Sequence, residues 1–119
     1  MKKASFGDYL RECREAKAAT DRSFSVRKIA AKVGIEPSYL SKIERDLQPP
    51  PGEGVIRRLA EELGEDPDVM LALAGKVSSD LLAIIQSRPH LFAELLRQVK
   101  NLPDKAVIRL VREVRDGTW

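Results

Sequence analysis

Pro37, Ser38, Ser41 and Lys42 are the residues best suited to engage a polar surface. Ser38, Ser41 and Lys42 stand at i, i+3 and i+4, which puts them on one side of a helix. Hydroxyls donate and accept hydrogen bonds, and an ammonium adds three donors and a positive charge. This is the chemistry of binding, not of bond-making. The other candidates for chemistry are weaker. Cys13 lies on an apolar helical stripe and reads as a core residue. His90 is the sole histidine, with no cysteine or second histidine close by, so no zinc site is expected. Gly52-Glu53-Gly54 lacks the further glycines and the lysine of a phosphate-binding loop. Glu61, Glu62, Glu65, Asp66 and Asp68 read as a solvated acidic face. No acid, base and nucleophile assemble into a catalytic motif, so the expectation is a non-enzyme with no cofactor and no metal.

The elements that must position these groups are helical. Phe6, Tyr9, Leu10 and Cys13 recur at i, i+3, i+4 and i+7, and Val26, Ile29, Ala30 and Val33 repeat the spacing. Ser25 fits an N-cap before the second stripe, and Gly34 fits a stop after it. Between the two stripes, residues 18–23 read as a loose polar loop. The third stripe is Leu40, Ile43 and Leu47, with Tyr39 at its edge. Pro37 fits its first turn, and Glu36 falls at the cap, where it is not a favoured residue. Gln48 and the prolines at 49–51 are expected to end this helix. A fourth stripe, Val55, Ile56, Leu59, Ala60 and Leu63, closes at Gly64. A short fifth, Val69, Met70 and Leu73, opens at Asp66-Pro67 and closes at Gly75. Three more amphipathic segments follow: Leu81 to Ile85, Leu91 to Val99, and Val107 to Val114. Nothing alternates as a strand would. The expected fold is all-α.

Size and composition agree. A chain of 119 residues, 43% hydrophobic and 33% charged, suits one compact globular domain, or a small domain with an appended helical piece. No apolar run is long enough to span a membrane, and Met-Lys-Lys is not followed by a signal-peptide apolar region. A single cysteine allows no internal disulfide, so a cytoplasmic location is expected. Charge is uneven. Residues 1–48 hold 11 Lys/Arg against 7 Asp/Glu, residues 49–76 hold 3 against 6, and residues 77–119 hold 7 against 5. The basic first part can attract phosphate.

The second helix, the break at Gly34 and the third helix form a helix-turn-helix pattern. Val33, Ile35, Leu40 and Ile43 would lock the pair together. Pro37, Ser38, Ser41 and Lys42 would then face outward near a helix N-terminus, the part of a helix that reaches base edges in a DNA major groove. Leu10-Arg11-Glu12-Cys13-Arg14, Ile29 to Gly34, Ser38 to Arg45 and Val55 to Gly64 together resemble the Cro/phage-repressor (XRE) family over about residues 5–75. The resemblance implies a five-helix DNA-binding domain that works as a dimer. It implies base reading by Pro37, Ser38 and Lys42, and contacts to phosphate or flanking bases by Tyr39 and Ser41. It also implies a structural pair, Arg14 with Glu44. The family often has Gln at the start of helix two, where Val26 stands here, so either Ser25 or Arg27 takes over its phosphate contact or that contact is absent. Residues 18–23 make a longer loop than is usual in the family, and Arg22 within it is a further phosphate candidate.

Residues 1–76 are therefore expected to be the DNA-binding domain, and residues 77–119 a segment for dimerisation or partner binding. Its candidate contacts are Leu91, Leu95, Val107, Leu110, Val111 and Val114, with Trp119 as a candidate anchor. The expected function is a sequence-specific double-stranded-DNA-binding regulator, a homodimeric repressor of a palindromic operator that also controls its own expression. Two alternatives remain open. One is an antitoxin or controller protein whose C-terminal helices hold a partner protein such as a toxin. The other is a helical interaction adaptor that binds no specific DNA.

Overall fold

A computed structural model describes residues 5–119. The opening Met-Lys-Lys and the first four positions of the 1–76 domain lie outside the described residues. Among the described residues there are eight α-helices and no strand: α1 (Phe6–Ala18), α2 (Val26–Val33), α3 (Pro37–Glu44), α4 (Glu53–Leu63), α5 (Pro67–Leu73), α6 (Ser79–Ser87), α7 (Pro89–Val99) and α8 (Asp104–Asp116). The chain divides into two compact units, Met1–Ser78 and Ser79–Trp119.

In the first unit, α1 to α5 enclose one core. Phe6 and Leu10 of α1, Ile29, Ala30 and Val33 of α2, and Leu40 and Ile43 of α3 are buried together with Ile56, Leu59, Ala60 and Leu63 of α4 and Met70 and Leu71 of α5. Local signals start or stop several of these helices. Ser5 caps α1 by accepting the Asp8 N–H at 3.0 Å, and Ser25 caps α2 by accepting the Lys28 N–H at 3.2 Å. At the end of α2, Gly34 takes a left-handed φ of 78°, and the Ile35 N–H turns back to the Ala30 carbonyl at 3.0 Å. Gly64 closes α4 in the same way, with the Glu65 N–H on the Ala60 carbonyl at 2.8 Å.

Three local expectations need correction. First, α3 ends at Glu44, well before the prolines. Asp46 adopts a left-handed φ of 60°, and the Leu47 N–H returns to the Lys42 carbonyl at 2.8 Å. Leu47 is thereby carried out of the stripe and is 61% exposed. The Asp46 carboxylate is held from afar, accepting the Ser5 hydroxyl at 2.7 Å. A Cβ at Gly7 would collide with the Ile43 carbonyl oxygen and that carboxylate, so the start of α1 and the end of α3 meet through a glycine. Second, α5 buries Met70 and Leu71, while Val69 and Leu73 are exposed. Third, the segment between α1 and α2 is not loose. Asp21 accepts from the Ser23 N–H at 2.9 Å and the Ser23 hydroxyl at 2.7 Å, capping a 3₁₀ turn over Arg22–Phe24. Lys17 and Lys32 stand 5.5 and 5.6 Å from the centre of the Phe24 ring, a cation–π arrangement from two directions.

In the second unit, α6 packs against α7. None of the residues in α6, α7 or α8 is buried. No helix among the described residues is long and apolar enough to cross a membrane.

Candidate nucleic-acid interface

The inner side of α3 is fixed by a buried ion pair. Arg14 donates from Nε to Glu44 Oε2 at 2.7 Å and from Nη2 to Oε1 at 2.8 Å, a two-pronged fit of guanidinium to carboxylate. Its Nη1 donates to the Phe24 carbonyl at 3.2 Å. The residues are only 8% and 3% exposed. One side chain of α1 therefore ties down the end of α3 and the 3₁₀ turn before α2. The Glu44 hydrogen bond is the main influence on Arg14, raising its pKa above the ordinary arginine value.

The outer side of α3 is free of such ties. Ser38 and Lys42 are exposed, and Pro37, Tyr39 and Ser41 are half-buried. Glu36 makes no side-chain bond to the helix it caps, and Pro37 sits in the first turn. The positive end of the α3 dipole thus lies beside short side chains that let a ligand approach the backbone.

The flank comes from α2 and the 3₁₀ turn. Ser25 and Arg27 line a shallow depression with Lys28 and Ala31. The Ser25 hydroxyl is engaged as the α2 cap, so any phosphate contact there would share it with the helix. Arg22 is exposed at the start of the 3₁₀ turn. Among the described residues, Arg22, Arg27, Lys28 and Lys42 make no ion pair. Cations between α2 and α4 behave differently: Lys32 of α2 pairs with Glu62 at 3.8 Å, and Arg58 of α4 donates to the Val33 carbonyl at 3.0 Å, closing the end of α2. Unneutralised positive charge thus lies on α2, α3 and their leading turn, while the acidic run Glu61, Glu62, Glu65, Asp66 and Asp68 lies on and after α4.

Lys28 lies in the same first turn of α2 as Arg27 and is a weaker candidate for the same contact. Phe24 and Arg58 give no periodic signal, because their partners are a pair of ammoniums and a backbone carbonyl. Cys13 is half-buried against the core. Burial raises its thiol pKa, and so does nearby Glu65, while a hydrogen bond with Tyr9 works the other way. Tyr9 donates to Glu65 at 3.5 Å, and its phenol pKa is raised, mainly by burial. His90 is exposed in the first turn of α7. Among the described residues, no three His, Cys, Asp or Glu are grouped to hold a metal ion.

In the second unit, Leu95, Leu110, Val111 and Val114 line one groove together with Arg115. Leu91 is 66% exposed and Val107 half-buried, and neither lines it. Trp119 is exposed and donates its indole N–H to the Val114 carbonyl at 3.0 Å.

A family model described as a helix-turn-helix domain matches residues 5–73, from the Ser5 cap of α1 to the last residue of α5. No curated protein and no solved structure matches the chain.

Proposed function

This chain belongs to the helix-turn-helix domain family, associated with XRE-like DNA-binding proteins, and we propose that it is a sequence-specific regulator acting on duplex DNA. The observation that carries the reading is the two-sided nature of α3. Its inner side is locked by the Arg14–Glu44 fork, while its outer side offers Ser38 and Lys42 unobstructed. A rigidly held helix with a free polar side is what base readout in a major groove requires. In this reading Ser38 and Lys42 contact base edges. Pro37, which has no N–H to donate, adds apolar contact such as that to a thymine methyl. Arg22, Arg27, Ser25, Tyr39 and Ser41 hold phosphate and set the register.

Residues 1–76 are the reader and residues 77–119 the pairing segment of a cytoplasmic homodimer. One α3 reads only a few base pairs, and two copies a helical turn apart read a palindrome. The regulator is a repressor, with its own promoter among its targets. It needs neither a catalytic group nor a cofactor. The exposed apolar faces of α7 and α8 favour one second reading, an antitoxin-like or controller protein that restrains a partner through those helices.

Selection from a random duplex library, followed by fluorescence anisotropy on the recovered site, tests the proposal. Wild type should bind the enriched site tightly, and the Ser38→Ala, Lys42→Ala double variant should lose roughly 1–3 kcal/mol for each base contact removed. An unenriched library, with equal weak binding by both proteins, would refute it.

A further inference from the structure

The second unit does not account for itself. It spans 41 residues, and none of them is buried. Chains of about 40 residues usually need a disulfide, a metal or oligomerisation to hold a fold. The sole cysteine is Cys13, in the first unit, and no metal-holding group appears among the described residues. Yet α8 is strongly amphipathic, and its apolar side is open: Val111 is 56% and Val114 58% exposed. The groove beside it is lined by Leu95, Leu110, Val111, Val114 and the stem of Arg115.

We propose that a second copy of this chain covers this face, with the two α8 helices packed antiparallel. The inference rests on the homodimer reading above and adds the surface and its direction. Two features of α8 select a copy of itself over an unrelated partner. The first is spacing. Val107, Leu110, Val111 and Val114 have the same spacing from either end. A two-fold axis between Leu110 and Val111 sets Val107 against Val114 of the second copy and Leu110 against Val111 of the second copy, so one stripe matches itself. The second is charge. Asp104 and Arg115 lie eleven residues apart, close to three helical turns, and so share a flank. Antiparallel pairing brings Asp104 towards Arg115 of the second copy, and does so twice. Parallel pairing would turn this flank towards the opposite flank of the second copy and bring Asp104 to no Arg115. The only ion pair Arg115 makes among the described residues is with its neighbour Asp116, at 3.0 Å on the exposed surface, a weak tie that leaves it available.

The test uses the full chain carrying Cys13→Ser, with single cysteines introduced on α8 and oxidised in solution. Val111→Cys lies beside the axis and should give a disulfide-linked dimer. Val107→Cys alone should not, because two copies of that position lie about 10 Å or more apart along the helices. Val107→Cys mixed with Val114→Cys should cross-link. Sedimentation of the unoxidised chain should show a dimer. Arg115→Asp should raise its dissociation constant several-fold, and adding Asp104→Arg should restore it. Efficient self-linking of Val107→Cys would overturn the antiparallel arrangement. A dimer that no α8 cysteine links would overturn the α8 surface while leaving the homodimer intact. A monomer at 0.1 mM, roughly the upper range for a weak pair, would overturn both. DNA binding by the first unit is read separately by anisotropy, so its failure is a distinct result.

Discussion

The two units use the same kind of sequence to opposite effect. Both consist of short amphipathic helices punctuated by Pro and Gly. In the first, five helices close on one another, and thirteen apolar side chains are buried. In the second, three helices of similar amphipathic character bury none. An apolar stripe therefore specifies that something must cover it, and not what. Closure in the first unit depends on features other than the stripes: a forked ion pair, a carboxylate holding a hydroxyl across the chain, and an arginine on a helix-end carbonyl.

The contrast can be broken most severely at the fork. Glu44→Ala leaves the Arg14 guanidinium buried without its carboxylate. It should cost roughly 3–5 kcal/mol, enough to abolish most of the stability of a small domain. Urea unfolding followed by circular dichroism would measure it. Replacing both Arg14 and Glu44 with apolar residues of similar volume should cost much less. A paired truncation sharpens the comparison next. Leu59→Ala in the closed core should cost about 2–5 kcal/mol. Leu96→Ala, at a residue 58% exposed in the open unit, should stay within about 0.5 kcal/mol when measured on dilute monomer. Equal costs at the two sites would contradict the difference in closure. Gly34→Ala should cost about 1–2 kcal/mol, because a Cβ is unwelcome at a left-handed φ even though space around it is open.

The smallest effect concerns pH. Hydrogen bonds from the Ser23 hydroxyl and N–H lower the Asp21 pKa below the usual aspartate value. A lowered carboxyl pKa stabilises the folded turn above the unfolded pKa, and that contribution fades as pH falls through the folded value. The 3₁₀ turn should therefore be intact at neutral pH and loosen only in strong acid. Amide chemical shifts of Ser23 and Phe24 would follow the loss, and Asp21→Asn should remove the titration.

Much of the first unit was legible because its signals are local. The stripes at Ile29, Ala30 and Val33 and from Ile56 to Leu63, the Ser25 cap and the Gly34 and Gly64 stops each depend on neighbours within one or two turns. The outer side of α3 was legible for the same reason, since Ser38 and Lys42 are one turn apart. What escaped depends on distant partners. Leu47 fits the α3 period, but Asp46 ends the helix while bound to Ser5, which lies 41 residues earlier. Asp21 and Ser23 looked like part of a loose polar connection, and Phe24 carried no signal, until the lysines of α1 and α2 were placed around the ring. The pairing of Arg14 with Glu44 followed from family resemblance alone, because periodicity cannot match charges 30 residues apart. The second unit was legible as helices and no further, since none of its residues is buried and its stripes do not say what they pack against.

The fork also separates two kinds of charge by their response to ionic strength. At physiological salt, screening acts over about 8 Å and works on charges that water and ions can reach. Arg22, Arg27, Lys28 and Lys42 are all exposed, whereas the Arg14–Glu44 contact is sealed from solvent. Raising salt should thus weaken whatever polyanion the first set attracts, while the geometry of α3 stays as it was. The protein would let go without unfolding, and regain the same grip when the salt is diluted.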